Sequence, residues 1–364
     1  MAFLEITGLK KSFKDHAIIR DLSLDVEKGE FLVIFGQSGS GKTVLLRLIA
    51  GMMRPDAGDI SIDGQSVVEV NPEHRDVGMA FQNYALYPHM TALENIASPL
   101  RSRQVPEAEV EQRVHETARM LRIDHVIDHL PKALSQGQKQ RTALARSLVG
   151  RPSIVLLDDP LRNVDAKIRY EMRFELPRVL RRYESTVIYV TQDYKEAMAL
   201  GDRVAVLVDG AFRQVAPPHE VYDVPSTQRI ARLFGDPPIN LLPVRPTTGP
   251  AGVEIGVAGG TVRLPANGAA LAGRECMFGI RSEDILVSLE PTDGIPVTLA
   301  TVTPLNNRLV MLLRGSEGTE LLASCPQGGP LDQLRGGHQA WASLDLTHAH
   351  FFDSRDVQSD GVRI

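Results

Sequence analysis

Two cysteines and a single tryptophan among 364 residues set the first limits on this chain. Cys276 and Cys325 are too few for a disulfide framework or a thiolate metal site, and are expected as free, buried thiols. Long apolar runs are missing as well. Stretches such as Ile154–Leu157 and Val204–Val208 fall far short of the about 18 residues a membrane-crossing helix needs. Neither sign of charge dominates: 40 basic and 45 acidic residues leave a net charge of −5, no footprint for nucleic acid or an anionic membrane surface. The opening residues, Met1-Ala2-Phe3-Leu4-Glu5, have no basic region and no apolar core of a secretory signal. The expectation is a cytosolic chain that reaches a membrane only by docking on another subunit.

What is present is an alternation of strand-like and helix-like patterns over the first 235 residues or so. Strands are expected at Glu30–Phe35, Asp59–Asp63, Val77–Phe81, Ser153–Leu157, Thr186–Val190 and Arg203–Val208. Helices are expected at Lys42–Ala50, Val105–Leu121, Gln136–Val149 and Ala166–Tyr183. Thr91 followed by Glu94 has the form of a capping box, and Pro106 suits a first helical turn. Pro177 should kink or interrupt the helix around it. Such alternation predicts an α/β layer fold with a parallel sheet. From 240 to 364 glycine, proline and short β-type runs (Gly260–Leu264, Met277–Ile280, Leu309–Leu313) predict a small all-β domain.

One segment carries chemistry on its own. Gly36-Gln37-Ser38-Gly39-Ser40-Gly41-Lys42-Thr43 has the spacing of a phosphate loop, after the apolar strand 31–35 and before the apolar helix 44–50. Glycines let the backbone curl so that several N–H groups face one anion, and the positive end of the next helix adds to the attraction. Lys42 is then placed for the β- and γ-phosphates of ATP, and the Thr43 hydroxyl for Mg²⁺. The second run, Ile154–Leu157, ends in Asp158-Asp159, 115 residues after Thr43. Four apolar residues fit a strand buried on both faces, and its C-terminal end is where ligands sit in open α/β sheets. Asp158 there is a candidate for holding Mg²⁺.

Other segments carry a resemblance. Leu134-Ser135-Gln136-Gly137-Gln138 resembles the L-S-G-G-Q signature of ABC ATPases, Phe81-Gln82-Asn83 their Q-loop and Pro160-Leu161-Arg162-Asn163-Val164-Asp165 their D-loop. Val190-Thr191-Gln192-Asp193 occupies the switch-histidine loop, and Phe13 the place of an adenine-stacking aromatic. Phe278-Gly279-Ile280-Arg281-Ser282-Glu283-Asp284 resembles the G-I-R-P-E-D stretch of maltose-type importers, and Pro237–Leu242 the entry to that domain. The resemblance implies an ABC-type P-loop NTPase over residues 1–235: a parallel-sheet core, an antiparallel β subdomain and a helical subdomain near 87–150. A transport-associated, OB-like β domain over 240–364 would follow. It further implies the ATP-binding subunit of a sugar or polyol importer, at the cytoplasmic face of the inner membrane. Its partners would be two transmembrane permease subunits, a second ATPase subunit and, indirectly, a solute-binding protein. Phe13, Gly36, Ser38, Gly39, Ser40, Gly41, Lys42 and Thr43 would hold ATP in this chain. Ser135, Gly137 and Gln138 would hold the ATP of the second subunit. Thr43, Gln82 and Asp158 would surround Mg²⁺; Asp159, Gln192 and Gln82 would act in hydrolysis.

Several positions depart from the family pattern. Asp159 stands where a catalytic Glu is expected, one methylene shorter, and a general base must come within about 2.6–3.2 Å of its proton. Gln192 stands where a His is expected; it can donate a hydrogen bond but cannot become a cation. Gln136 replaces the first signature glycine, and Val44 a hydroxyl residue after Thr43. The departures fall on elements that act at hydrolysis, so the expectation is good ATP binding, slow turnover, and pairing with a different, fully equipped ATPase subunit, with a homodimer of two slow sites as the rival arrangement. An ATP-dependent dimerisation clamp with little hydrolysis is the alternative. A soluble ATPase acting on ribosomes or DNA fits poorly, because that class carries two cassettes or long inserted arms.

Overall fold

Apolar residues alternate through Leu4 and Ile6, then through Leu22, Leu24 and Val26, and the chain there forms two long antiparallel strands, β1 (Leu4–Phe13) and β2 (His16–Val26). Neither was among the expected strands, although each turns one row of side chains into the core. The computed structural model describes residues 2–250, 252–305, 307–316, 318–333, 335–353 and 363. They pack as two units, Met1–His219 and Glu220–Ile364. Among the described residues no helix is long and apolar enough to cross a membrane.

In the first unit β1 and β2 join β4 (Ala57–Ile62) and β5 (Gln65–Ser66) in a four-stranded antiparallel sheet, after β3 (Phe31–Phe35) and α1 (Lys42–Ile49). The second sheet has β6 (Val77–Ala80), β7 (Ile154–Asp158), β8 (Thr186–Thr191), β9 (Arg203–Val208) and β10 (Ala211–Ala216), in the order β10-β9-β3-β8-β7-β6. All neighbours there run parallel except β10 on β9. Every residue of β3, β7 and β8 is buried, as continuous apolar runs require when both faces are covered. The covering element on one face is α1: Leu45, Leu46, Leu48 and Ile49 share one core with Leu4, Ile6 and Leu24 of the antiparallel sheet and Leu32, Ile34 and Leu156 of the parallel one. Each such side chain contributes about 1.5–3 kcal/mol by leaving water. That clamp fixes where the N-terminus of α1 points.

Three helices, α2 (Ala92–Ser102), α3 (Glu107–Met120) and α4 (Gln136–Leu148), pack on one another through Ile96, Leu100, Val110, Val114 and Leu148, all buried. Thr91 and Glu94 form the capping box that opens α2. Pro106 stands at the N-cap of α3. α5 (Ala166–Arg181) follows β7, and α6 (Tyr194–Leu200) follows β8. α5 continues through Pro177, so the expected helix over Ala166–Tyr183 stands and the interruption that the proline allowed does not occur. Leu176 and Leu180, buried on either side of the proline, anchor that face by packing, which offsets the lost backbone hydrogen bond.

The second unit opens with α7 (Pro218–Asp223), which straddles the boundary, and α8 (Gln228–Leu233). Eleven strands follow: β11 (Asn240–Val244), β12 (Thr247–Gly249), β13 (Gly252–Val257), β14 (Gly260–Arg263), β15 (Cys276–Ile280), β16 (Ile285–Ser288), β17 (Ile295–Leu305), β18 (Arg308–Arg314), β19 (Glu320–Pro326), β20 (Gln339–Leu344) and β21 (His350–Asp353). They form antiparallel sheets in the orders β11-β15-β21, β12-β13-β14 and β16-β20-β17-β18-β19. The end strands β16 and β19 come back together, so the five-stranded sheet curls around its core.

Arg281 holds this unit's entry segment. It is 3% exposed, donates to the carbonyls of Phe234 (2.7 Å) and Tyr222, and lies 3.4 Å from the centre of the Tyr222 ring. Cys276 is buried and Cys325 half-buried, and neither forms a disulfide among the described residues. His350 is 1% exposed, neither ring nitrogen has a hydrogen-bond partner among the described residues, and burial lowers its pKa to about 4.

Candidate functional site

The C-terminal ends of β3, β7 and β8 and the start of α1 open on one cleft of about 360 Å³. Its phosphate-loop bank is shaped by backbone. A side chain at Gly36 would run into the Leu207 carbonyl at 2.5 Å, and Gly41, at φ 105°, takes a conformation that L side chains rarely adopt. No side chain caps α1, so its first N–H groups face the cleft as anion donors. Lys42 Nζ donates to the carbonyls of Gly36 and Gln37, at 2.7 Å each, and so bridges the loop. Burial lowers the Lys42 pKa to about 8, against the pull of Asp159 and Asp158.

Opposite stand the two carboxylates. Thr43 Oγ1 donates to Asp158 Oδ1 at 3.1 Å. Asp158 is 5% exposed, and burial holds its pKa above the ordinary range, with the Thr43 hydrogen bond opposing. Asp159 turns off the strand at φ 46°, its N–H held by the Val190 carbonyl at 2.9 Å. Its Oδ2 is buried and has no hydrogen-bond partner; the Arg162 guanidinium stands 3.6 Å away. Burial first, and then the charge of Glu196, push the Asp159 pKa up to about 6, while Arg162 opposes. Glu196 is 2% exposed and accepts from Tyr189 Oη and Thr191 Oγ1, both at 2.8 Å.

The structure brings Phe13, Ser38, Gly39, Gly41, Lys42, Thr43, Gln82, Asp158, Asp159 and Gln192 to this one cleft. Gly36 and Ser40 belong to the loop behind it, with Ser40 Oγ 3.5 Å from Lys42 Nζ. Ser135, Gly137 and Gln138 do not line it. They start α4, where Ser135 accepts from the Gln138 N–H at 3.3 Å and Gln138 Oε1 accepts from the Ser135 N–H at 2.9 Å. Gly137 is buried against Ile168.

Sequence reasoning gave no role to Arg162 or to Glu196. Arg162 follows Asp159 by three residues, a visible signal; the environment of Glu196 depends on Tyr189 of the adjoining strand. The Q-loop turn was also not foreseen. Tyr84 and Ala85 both have positive φ, 62° and 47°, and Arg146 holds their carbonyls at 3.1 and 2.8 Å. Asn163 Nδ2 donates to the Gln82 carbonyl at 3.1 Å, so the loop after β7 is tied to the loop after β6. Beside this turn a second cleft, about 540 Å³, is lined by Met79, Phe81, Tyr87, Pro99, Arg103 and Arg146.

Known proteins share this construction. The family model described as "ABC transporter" matches residues 19–162. The sn-glycerol-3-phosphate import ATP-binding protein UgpC of Cereibacter sphaeroides is 38% identical over 97% of this chain and 98% of its own length. Its namesake from Escherichia coli K12 is 39% identical over 98% and 99%. Among solved structures, the dimeric bacterial ABC transporter cassette MJ0796 superposes with a TM-score of 0.55 at 29% identity, covering 59% of this chain and 98% of that one. A cleft built on a phosphate loop and a strand-end carboxylate pair, and near full-length identity with these relatives, lead to one conclusion: the chain belongs to the ABC transporter family, as an ATP-binding protein of the import type.

Proposed function

We propose that this chain is the ATP-hydrolysing, energy-coupling subunit of an importer for a small polyol or its phosphate. The observation that carries the ATP reading is the convergence of Lys42, the start of α1 and the Thr43–Asp158 pair on one cleft. Lys42 and the loop N–H groups would grip the β- and γ-phosphates, and Phe13, 42% exposed at the rim, would stack on the base. Water would attack the γ-phosphorus as the bond to the β-phosphate oxygen breaks, releasing ADP and phosphate. Asp159 is the group placed to take the water's proton, Gln192 to donate toward the γ-phosphate and Gln82 to position the water.

Mg²⁺ fits the donors present. Thr43 and Asp158 offer hard oxygens 3.1 Å apart, with Gln82 on the same cleft, and Mg²⁺ takes one or two protein oxygens plus phosphates and waters. When bound, it would neutralise charge on the phosphate oxygens. The polyol class is supported by the relatives' role in sn-glycerol-3-phosphate import. The cleft beside the Q-loop, with apolar walls and two arginines, suits the coupling helix of a permease subunit at the cytoplasmic membrane face. Signature residues that stand apart from the chain's own cleft support a second ATPase subunit that completes each site. Asp159, Gln192 and Gln136 favour a different, fully equipped companion over a second copy.

Steady-state hydrolysis measured beside MgATP binding tests this reading. Tight binding with slow turnover, raised by a companion subunit from the same transporter, is the expected result. Robust turnover by the chain alone would make a homodimer the better description, and absence of MgATP binding would sink the proposal.

A further inference from the structure

Among the described residues lining the phosphate cleft, two are cationic: Lys42 and Arg162. Lys42 is fixed by the loop it bridges. Arg162 is fixed only at its backbone, where its N–H donates to the Asp159 carbonyl at 3.3 Å and its own carbonyl accepts from Arg169 at 3.2 Å. Its side chain is 47% exposed, and its one ion pair among the described residues, to Asp159 Oδ2, is 3.6 Å long, beyond hydrogen-bonding distance. A loose, half-exposed pair of this kind holds a guanidinium weakly. Arg162 also acts electrostatically on Lys42, so the two cations share one field. Asp158, Asp159 and the neutral Gln192 line the same cleft, so a phosphate drawn to Lys42 would stand in the field of a second cation that only one distant carboxylate oxygen holds.

We propose that Arg162 is a direct ligand of the nucleotide's terminal phosphate, supplying within this chain the positive charge that Gln192 cannot. The inference rests on the reading of this cleft as an ATP site. A planar guanidinium matches two phosphate oxygens at once, a better partner than a single carboxylate oxygen out of hydrogen-bond range. Transfer of Arg162 to the phosphate also leaves Asp159 Oδ2 unpaired and able to accept a proton. The sidedness follows from chemistry: ADP lacks the terminal phosphate, so the contribution of Arg162 belongs to ATP and not to ADP.

The test measures MgATP and ADP affinities of the full chain, of Arg162→Ala and of Arg162→Lys. Arg162→Ala should weaken MgATP about tenfold, the size of one charge-assisted hydrogen bond, and leave ADP within about twofold. Arg162→Lys should keep part of the ATP preference, because charge survives while the fork is lost. A merely structural role in the loop would lower both affinities together. If the wild-type chain binds both nucleotides and Arg162→Ala shifts them equally, or not at all, the inference fails while the ATP reading stands. If the wild-type chain binds neither, both fall.

Discussion

The two banks of the phosphate cleft are built on different principles. On one side, the loop from Gly36 to Thr43 presents backbone N–H groups and a lysine locked by two carbonyls. On the other, Asp159, Arg162 and Gln192 present side chains whose reach depends on single methylenes and rotatable bonds. Backbone binding tolerates sequence change as long as the turn survives. Side-chain chemistry does not, because a changed arm length or charge moves the reacting group itself. Nucleotide capture and nucleotide turnover can therefore change separately in one cleft.

The most severe test of this division is Lys42→Ala. Loss of two or more charge-assisted contacts should weaken MgATP by roughly a hundredfold or more, as read by titration calorimetry. A small loss would mean that the loop bank does not dominate capture. Next comes Asp159→Glu combined with Gln192→His. Restoring arm length and a titratable switch should raise turnover by roughly ten- to a hundredfold, a fraction of what a positioned base supplies, with MgATP affinity little changed. Unchanged turnover would show that the second bank already works as it stands.

The smallest effect is on pH dependence. Asp159, with a pKa raised to about 6, is a carboxylate above that pH and loses its base function below it. Lys42, with a pKa lowered to about 8, is a cation below that pH and loses its charge above it. The kcat/KM for ATP should therefore hold between about 6 and 8 and fall about tenfold per pH unit beyond either edge. Asp159→Glu should move the acid edge, and a shift of the alkaline edge with it would break the assignment.

Legibility followed locality. The phosphate loop could be read because strand, glycines, Lys42 and helix follow one another without a break from Phe31 to Ile49, where each reports on the next. Strands β7, β8 and β9 were equally plain, each built on an apolar run that is fully buried: Ile154–Leu157, Val187–Val190 and Val204–Val208. The β1–β2 hairpin escaped because its alternation is broken by register shifts after Ile6, Leu9 and Lys11, which destroy the period of two. At Pro177 the helical pattern around the proline was the better guide than the local rule, since Leu176 and Leu180 are packed on either side of it. The raised pKa of Asp159 could not be read at all, since it comes first from burial and then from Glu196, brought near by β8 and α6.

The hold of Arg281 on Tyr222 and Phe234 has a practical consequence for dissecting the protein. A fragment begun at residue 240 would keep the guanidinium and discard both carbonyls and the ring that receive it. A buried charge stripped of its partners destabilises a small β unit by several kcal/mol. Such a piece should aggregate, whereas one begun near residue 218 retains the whole clamp. Where a gene is cut thus decides whether its second half can be handled as a protein.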